Sequence, residues 1–400
     1  MAILNAAYRQ RWLPHLGLGG LGVRAGAHAL RARSYATSPT TSAASSTLPP
    51  TPSIDKFKIL FCGSDEFSVA SLRAVHAAKD LWETINVVVP PEREIGRGGK
   101  HHHKSHELYT PVLRSFAEEH NLTTTTVPAG GIKTWDPPSP FTELSKSHLL
   151  LTASFGHIIP LRLLKLFPPD HRLNVHPSLL PRWRGAAPVQ WTIASGDGVT
   201  GVNVQRLVRY GLGVDAGDIV GAVRDIPVPG DATYNTFLPH LAEVGGDLLV
   251  DVLRTLKNGT ATFTPQDERY ITLAPKITHE LAKIRWSEQT AQDIDRLNRG
   301  ISHQCPLWTS MNGTTAQLLA LRMIPSSDLP PKVPSDSVEP GVGYLLKQGK
   351  SRRLLVSCAE GTWVEVSEIQ VAGKKALNTK EWVNGLSKEI RDTGMVKFSP

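Results

Sequence analysis

Short apolar runs that end near glycine or proline recur through the first two thirds of the chain. Strands buried on both faces have this uninterrupted apolar character, and they occur in parallel sheets covered by helices. The runs are "FKILFCG" (from Phe57), "INVVVP" (from Ile85), "HLLLTASFGHIIP" (from His148), "HRLNVHP" (from His171) and "GVNVQRLV" (from Gly201). An amphipathic stretch, "EFSVASLRAVHAA", follows the first run, as in a strand that enters a helix. The pattern predicts an α/β fold, a Rossmann-like doubly wound and mostly parallel sheet, over residues 55–257.

The turn after the first run argues against one common class of protein with such a sheet. It reads "CGSDEF" and contains a single glycine. A dinucleotide-binding turn needs the pattern G-x-G-x-x-G, because its backbone must approach the pyrophosphate closely. We therefore do not expect a nicotinamide-dependent enzyme.

The chain changes character after residue 257. Short runs of strand type follow one another: "TAQLLALRMI", "GVGYLLK", "RRLLVSCA" and "TWVEVSEIQV". A loop rich in proline and serine separates the first two, and one helical stretch, "SEQTAQDIDRLNRGI", precedes them all. Short strands with turn signals between them are typical of small barrels. We therefore predict a second domain, an OB-like β-barrel, over residues 258–400.

The first 54 residues form a separate compositional class. They contain five arginines and no Asp or Glu, and so account for five of the chain's eight net positive charges. A basic segment rich in Ala, Leu, Gly and Ser is typical of a mitochondrial transit peptide. The stretch "RARSYATS" resembles a matrix-protease site, so we predict a transit peptide over residues 1–35, a flexible linker over 36–54 and a location in the mitochondrial matrix. The alternative is a tail without a targeting role.

Composition also bears on the membrane, disulfide and metal-binding classes. No apolar run is long enough to span a bilayer, so we do not expect a membrane protein. The three cysteines, Cys62, Cys305 and Cys358, lie far apart and match no zinc or redox spacing. A reducing compartment suits them better than a disulfide-stabilised fold. Nothing in the sequence demands a dimer, and we expect a monomer without a bound metal.

Asn174 and His176 are the first candidates for chemistry. If "RLNVHP" is a strand end, the two side chains project to the same face, because strand side chains alternate with period two. Ligands of open α/β sheets bind beyond the carboxyl ends of the strands. An amide donor and a titratable ring at that edge can hold a developing oxyanion and move a proton. The alternative is a capping asparagine and a structural histidine.

Asp215 is the candidate acidic partner. It lies in "GLGVDAGDIV" with Asp218, among glycines and small residues that let backbone and ligand approach closely. A carboxylate beside His176 can take the proton lost by an attacking amine. Taken alone, such aspartates form turns more often than they catalyse, and the spacing does not establish that Asp215 meets His176.

Several motifs together resemble one enzyme family. They are "NVHPSLLPRWRGAAPVQWTIASGD", "TGVNV", "GVDAGDIV", "APKI" and "AKIRW", and the likeness runs from about Lys58 to Lys375. The chain resembles the methionyl-tRNA formyltransferases, in their mitochondrial form. The Asn–His–Asp pattern with "SLLP" is also similar to other formyltransferases that use 10-formyltetrahydrofolate, while "PRWRGAAPVQW" and the added barrel favour the tRNA branch. Within this likeness, "KIRW", with Arg285, stands where bacterial relatives tend to read "RIDW", and "PLWTSM" replaces the usual "PWP".

The resemblance implies a role for each matching residue. Asn174, His176 and Asp215 fall on the family's catalytic residues, which act without a metal on 10-formyltetrahydrofolate and the α-amine of initiator methionyl-tRNA. The implied folate contacts come from the turn of Ser178, Leu179, Leu180 and Pro181 and from Phe155, Gly156 and Ile158 in "ASFGHIIP". The implied tRNA contacts come from Arg97, Arg182, Arg184 and Lys276.

Two of the implied tRNA contacts need separate weighing. The loop from Pro90 to Val112 is basic and glycine-rich, as suits contact with RNA phosphates. Its "GRGGKHHHK" places Arg97 on the family's acceptor-reading arginine, and its three histidines fit a solvated loop better than a metal site. Arg182 and Arg184 flank Trp183 and either guide the acceptor end or pin the turn. Both interpretations stay open at this point.

Three functions remain to be separated. The leading hypothesis is formyl transfer to methionyl-tRNA, which supports mitochondrial translation initiation. Another formyltransferase or a formyl-folate hydrolase is the second, and the basic loop and the barrel argue against it. A tRNA-binding protein without activity is the third, and the presence of Asn174, His176 and Asp215 argues against that.

Overall fold

The computed structural model describes residues 55–94, 108–331, 333, 338–348 and 351–399. The predicted transit peptide (1–35), the predicted linker (36–54) and Arg97 lie outside these residues. Within the described ranges, no helix has both the length and the apolar character that a membrane span requires.

Strands and helices alternate through the N-terminal part of the described chain. Its strands are β1 (Phe57–Gly63), β2 (Trp82–Val89), β3 (Arg93–Glu94), β4 (Leu108–Tyr109), β5 (Thr123–Thr126), β6 (His148–Ala153), β7 (Arg172–His176), β8 (Arg184–Gly185), β9 (Val199–Arg206), β10 (Ile219–Pro227) and β11 (Leu273–Ala274). Its helices are α1 (Glu66–Ala77), α2 (Val112–Glu119), α3 (Leu161–Leu164), α4 (Pro188–Ala194) and α5 (Tyr234–Lys257). Short 3₁₀ turns occupy Pro169–His171, Tyr210–Leu212 and Glu268–Tyr270.

Seven of these strands form one sheet in the order β10-β9-β7-β6-β1-β2-β5. The five strands from β7 to β5 are parallel, which confirms the prediction of a mostly parallel α/β sheet. The strand β9 runs antiparallel to β7, and β10 runs antiparallel to β9. The sheet is therefore mixed. The sequence did not predict this, because an apolar run does not indicate whether a strand pairs in the parallel or the antiparallel direction.

The strand β1 shows why the sheet forms where the apolar runs predict it. Phe57, Ile59 and Phe61 pack into a core shared with α1 and α5 on one face, and Leu60 and Cys62 pack into a second core on the other. All five side chains are buried. Burying one large apolar side chain contributes roughly 1.5–3 kcal/mol, so a strand of this kind is stable only between two covered faces.

The C-terminal part is built from antiparallel strands. They are β12 (Leu307–Met311), β13 (Thr314–Ile324), β14 (Val342–Gln348), β15 (Ser351–Ser357), β16 (Trp363–Val371), β17 (Leu377–Asn378) and β18 (Met395–Lys397). The helices are α6 (Ala291–Ile301), α7 (Thr379–Asn384) and α8 (Lys388–Thr393), with 3₁₀ turns at His279–Ala282, Ser326–Asp328 and Ala359–Gly361. The helix α6 begins with a capping box, in which Thr290 and Asp293 exchange hydrogen bonds.

The C-terminal sheet curls until its edges meet. Its strand order is β12-β13-β16-β15-β14-β18, with β17 beside β16. Ser310 of β12 and Ser399, just beyond β18, exchange backbone hydrogen bonds of 2.8 and 2.9 Å. This antiparallel, curled sheet agrees with the barrel that the sequence predicts, while its OB-like character stays a prediction.

Candidate active site

One cavity of about 440 Å³ opens beyond the carboxyl ends of the central parallel strands. Asn174 and His176, both on β7, line it, as expected for two residues that are two positions apart on a strand. Asp215 also lines the cavity, although it lies further along the chain, in the connection between β9 and β10. The three candidate residues therefore meet at one site.

His176 is buried and is held by its own turn. Its Nε2 lies 3.0 Å from the carbonyl oxygen of Trp183. Because a carbonyl only accepts, Nε2 carries the proton in that contact, and Nδ1 is the nitrogen left for the cavity. Nδ1 lies 3.8 Å from Oδ2 of Asp215. The ring thus has one nitrogen anchored and one directed at a carboxylate.

Two hydrogen bonds hold the carboxylate of Asp215. The backbone N–H of Gly185 donates to Oδ2 at 2.9 Å, and Nε2 of Gln205 donates to Oδ1 at 2.7 Å. The backbone of Asp215 has a φ of 51°, the left-handed region that aspartate tolerates better than most residues. Asp218, the other candidate of this stretch, instead pairs with Arg206.

Asn174 is oriented by the neighbouring strand. Thr152 on β6 is its register partner, and Oγ1 of Thr152 donates to Oδ1 of Asn174 at 2.7 Å. With its oxygen engaged in this way, Asn174 keeps its Nδ2 hydrogens for a ligand. An amide donor beside an anchored imidazole and a carboxylate is suited to stabilising a developing oxyanion and to transferring a proton.

A further acid lies in the cavity wall. Asp65 is the N-cap of α1, and its side chain accepts a hydrogen bond from the N–H of Ser68. Burial raises the pKa of the Asp65 carboxyl group, and hydrogen bonds from Ser68 and Ser154 partly offset that effect. The sequence pattern around Asp65 does not indicate a functional role, since an N-cap aspartate is common for structural reasons alone.

The predicted folate residues separate into two groups. Phe155, Gly156 and Ile158 line the cavity, as the resemblance implies. The turn Ser178–Pro181 does not: Ser178 is fully buried, and its hydroxyl donates to the carbonyl oxygen of Arg182 at 2.7 Å.

The rest of that turn is engaged in the same way. The N–H of Leu180 donates to Oδ1 of Asn203 at 2.7 Å, and the N–H of Ser178 donates to the carbonyl oxygen of His176 at 2.9 Å. Leu179 lies between these anchored positions, and the carbonyl oxygen of Pro181 accepts a hydrogen bond from the N–H of Thr272 at 3.2 Å. Several polar groups of the turn are thus engaged within the protein, and its contact with folate stays a prediction.

The predicted tRNA residues are in different surroundings. Arg182 forms a two-pronged pair with Asp197 at 2.5 and 2.7 Å, and its side chain is 43% exposed. Arg184 is buried and donates to Oε1 of Gln266 at 2.9 and 2.7 Å. These contacts favour the interpretation in which the two arginines hold the turn in place, most clearly for Arg184. Lys276 is exposed.

Thr152, Gln205 and Gln266 are site residues that sequence reasoning missed. Thr152 could have been found, since it is the polar residue near the end of an apolar strand next to β7. Gln205 and Gln266 carry no recognisable spacing. Among the described residues, no group of three or more His, Cys, Asp or Glu side chains is arranged to hold a metal ion.

Comparison with known families agrees with this fold. Residues 142–253 match the formyl transferase family model, and residues 276–387 match the model of the formyl transferase C-terminal domain. A solved sugar 3N-formyl transferase, WlaRD, shares the fold with a TM-score of 0.51 at 17% identity, covering 80% of this chain and 99% of its own. The fold and the family models thus define a formyltransferase.

Curated relatives narrow the family to which the chain belongs. A methionyl-tRNA formyltransferase of Syntrophus aciditrophicus is 33% identical over 82% of this chain and 96% of its own length. The mitochondrial methionyl-tRNA formyltransferase of Mus musculus is 32% identical over 82% of this chain and 78% of its own length. The chain belongs to the methionyl-tRNA formyltransferase family and is an enzyme of that family.

Proposed function

We propose that this protein transfers the formyl group of 10-formyltetrahydrofolate to the α-amino group of methionyl-tRNA. The product, N-formylmethionyl-tRNA, then serves translation initiation in mitochondria. The observation that carries the proposal is the meeting of Asn174, His176 and Asp215 at one end of a single cavity. The names of the curated relatives support the choice of substrates.

The cavity fits the folate cosubstrate. Its volume of about 440 Å³ lies in the usual range for small-molecule sites, and Phe155, Ile158 and Ile159 give it an apolar wall. We assign Phe155, Gly156 and Ile158 to holding the flat pteridine ring, by burial and by backbone hydrogen bonds. When bound, 10-formyltetrahydrofolate supplies the formyl carbon at its N10 end.

Each residue of the site then has a defined task. The Nδ2 group of Asn174 donates to the oxygen that becomes negative during the transfer. His176 is held at Nε2 by Trp183, so its Nδ1 is the ring nitrogen that holds or moves a proton at the reacting centre. Asp215 orients that ring and accepts the proton lost by the attacking amine. As the bond between the amine nitrogen and the formyl carbon forms, the bond between that carbon and N10 breaks, N10 takes up a proton, and tetrahydrofolate leaves.

We assign tRNA recognition to the C-terminal domain, residues 258–400, and to the basic loop that carries Arg97, and the chemistry to residues 55–257. Lys276 is exposed and available for such a contact. The mitochondrial location rests on the composition of residues 1–35 and on the mouse relative. Fusing residues 1–54 to a fluorescent protein tests it, and a diffuse cytosolic signal would refute it.

Formyl transfer is tested directly with the full chain, methionyl-tRNA and 10-formyltetrahydrofolate. We expect N-formylmethionyl-tRNA, detected by acid gel or mass spectrometry. A reaction without tRNA measures formate release, the activity of a hydrolase, and a reaction with an amino-sugar nucleotide measures a different acceptor. Binding of tRNA without any transfer would instead identify an inactive tRNA-binding protein and overturn the proposal.

A further inference from the structure

Gln266 connects two turns of the candidate site. It lies between the two family-model matches, in the segment that leads from α5 to β11. Its Nε2 donates to the carbonyl oxygens of Asp215 at 2.8 Å and Gly217 at 2.7 Å, with Oε1 of Gln205 at 3.4 Å. Its Oε1 accepts two hydrogen bonds from Arg184, at 2.9 and 2.7 Å. Both ends of the amide are thus engaged.

The partners of Gln266 determine the orientation of its amide. A flipped amide would direct its N–H groups at the guanidinium of Arg184 and its oxygen at two carbonyl oxygens, so every contact would be repulsive. Only an amide serves both sides, because a carboxylate has no hydrogen to donate and an ammonium group has no oxygen to accept. The residue type at this position therefore follows from its two sets of partners.

The turn that Gln266 holds is one that needs support. Asp215 has a positive φ of 51°, and non-glycine residues keep such a conformation where the surroundings over-determine it. A Cβ on Gly217 would lie 1.6 Å from the carbonyl oxygen of Arg206, so this turn also presses closely on β9. Gln266 fixes the carbonyl groups of both residues and hence the direction of the Asp215 side chain.

The same connecting segment also holds the other turn. The N–H of Arg184 donates to the carbonyl oxygen of Thr272, and the N–H of Ala186 donates to that of Ala274, both at 2.9 Å. Gly185, between them, donates its N–H to the Asp215 carboxylate at 2.9 Å. The segment from Gln266 to Ala274 therefore sets the position of the donor as well as that of the acceptor.

We propose that Gln266 is a positioning residue, which sets the carboxylate of Asp215 against Nδ1 of His176 and so makes formyl transfer depend on the segment between the two domains. The inference rests on the proposed function for its kinetic consequence. Gln266 does not line the cavity and acts through Asp215. Its loss should therefore lower the rate of transfer and leave the affinity for folate unchanged.

The kinetic test uses Gln266→Glu, which keeps the size of the side chain and removes both donors. We expect kcat to fall about 10- to 100-fold, the usual result of a displaced catalytic group, with an unchanged KM for 10-formyltetrahydrofolate. Gln370→Glu is the matched control, since Gln370 also donates to a backbone carbonyl, that of Lys374, but in the C-terminal sheet. An unchanged kcat in Gln266→Glu would overturn the proposal.

A double-mutant cycle separates positioning from general support of the fold. In an Asp215→Asn background, Gln266→Glu should have no further effect on kcat, because the group it positions is already lost. A full additional loss would show that Gln266 acts elsewhere and would overturn the proposal. Gln266→Met, a neutral side chain of similar length, provides the same cycle if the glutamate variant does not fold.

Hydrogen exchange tests the same contacts without reference to activity. In Gln266→Met, we expect the amides of residues 184–187 and 214–218 to exchange about tenfold faster than in the wild type, with the C-terminal sheet unchanged. Unchanged exchange in both segments would overturn the proposal. A wild-type protein that transfers no formyl group would refute the proposed function, and this readout would still decide whether Gln266 holds the two turns.

Discussion

Thr152 donates a hydrogen bond to Asn174 across two neighbouring parallel strands, at 2.7 Å. The bond decides which end of the Asn174 amide faces the cavity. Replacing Thr152 with valine keeps the branched shape and removes the donor, at a cost of about 1 kcal/mol in positioning, and we expect kcat to fall about fivefold. Steady-state kinetics measures this. Thr152→Ser is the control, and a serine variant as slow as the valine variant would show that packing matters instead.

Replacing Asp215 with asparagine removes the charge that faces His176. We expect kcat to fall about 10²- to 10⁴-fold, the usual contribution of a positioned acid or base, while the melting temperature stays close to that of the wild type. Asp218→Asn is the matched control, because Asp218 pairs with Arg206 instead of His176. Turnover near the wild-type level in Asp215→Asn would rule out our assignment of the catalytic residues.

Gly185 is a position where only glycine fits. Its φ is +129°, and a Cβ there would lie 2.6 Å from the carbonyl oxygen of Ala274. We expect Gly185→Ala to lower the free energy of unfolding by about 1–3 kcal/mol and to reduce kcat, since its N–H holds Asp215. Urea unfolding and kinetics measure the two effects. Gly198→Ala is the control, because no atom lies within 4 Å of a Cβ at that position.

The sequence predicts those parts of the fold for which only one arrangement buries the apolar side chains. The run at β1 is apolar on both faces, so it needs a covered sheet, and the period of two puts Asn174 and His176 on one side. The antiparallel direction of β9 was not predictable, because the residue pattern of "VNVQ" suits a parallel strand and an antiparallel strand equally well. Gly185 lies in β8, which pairs with β11, and Gln266 follows Thr264, which pairs with Ile219. No local pattern encodes either of these long-range pairings.

A buried histidine, His148, and a half-buried one, His171, make the stability depend on pH. Burial lowers the pKa of His148 and His171, and their hydrogen bonds to the carbonyl oxygens of Glu143 and His148 offset only part of that effect. As the pH falls below about 6.5, the histidines bind protons more readily in the unfolded chain than in the folded chain, so the free energy of unfolding decreases. Each group contributes at most about 1.4 kcal/mol per pH unit.

Urea unfolding between about pH 7 and about pH 5 measures this dependence. We expect His171→Asn to be less stable at neutral pH and to lose stability less steeply as the pH falls. A slope equal to that of the wild type would mean that His171 takes up its proton equally in the folded and unfolded chains.

Arg97 lies outside the described residues, and its prediction rests on the sequence. Its loop is basic and rich in glycine, which suits contact with the acceptor end of a tRNA. We expect Arg97→Ala to raise the KM for methionyl-tRNA by about tenfold, the order expected for one lost arginine contact, with folate binding unchanged. Lys276→Ala, which changes a residue of the proposed C-terminal domain, is compared in the same assay. An equal loss of folate binding would indicate that the loop supports the fold.

The pairing of β11 with β8 has a consequence for how such enzymes can be recombined. Residues 266–274 follow the catalytic sheet in the chain, yet they form the wall behind Gly185 and Asp215. A chimera that exchanges everything after residue 257 would replace that wall together with the barrel. A chimera that is to keep this wall must therefore retain the first chain at least to Pro275, whose carbonyl oxygen accepts a hydrogen bond from Nε1 of Trp191 at 2.8 Å.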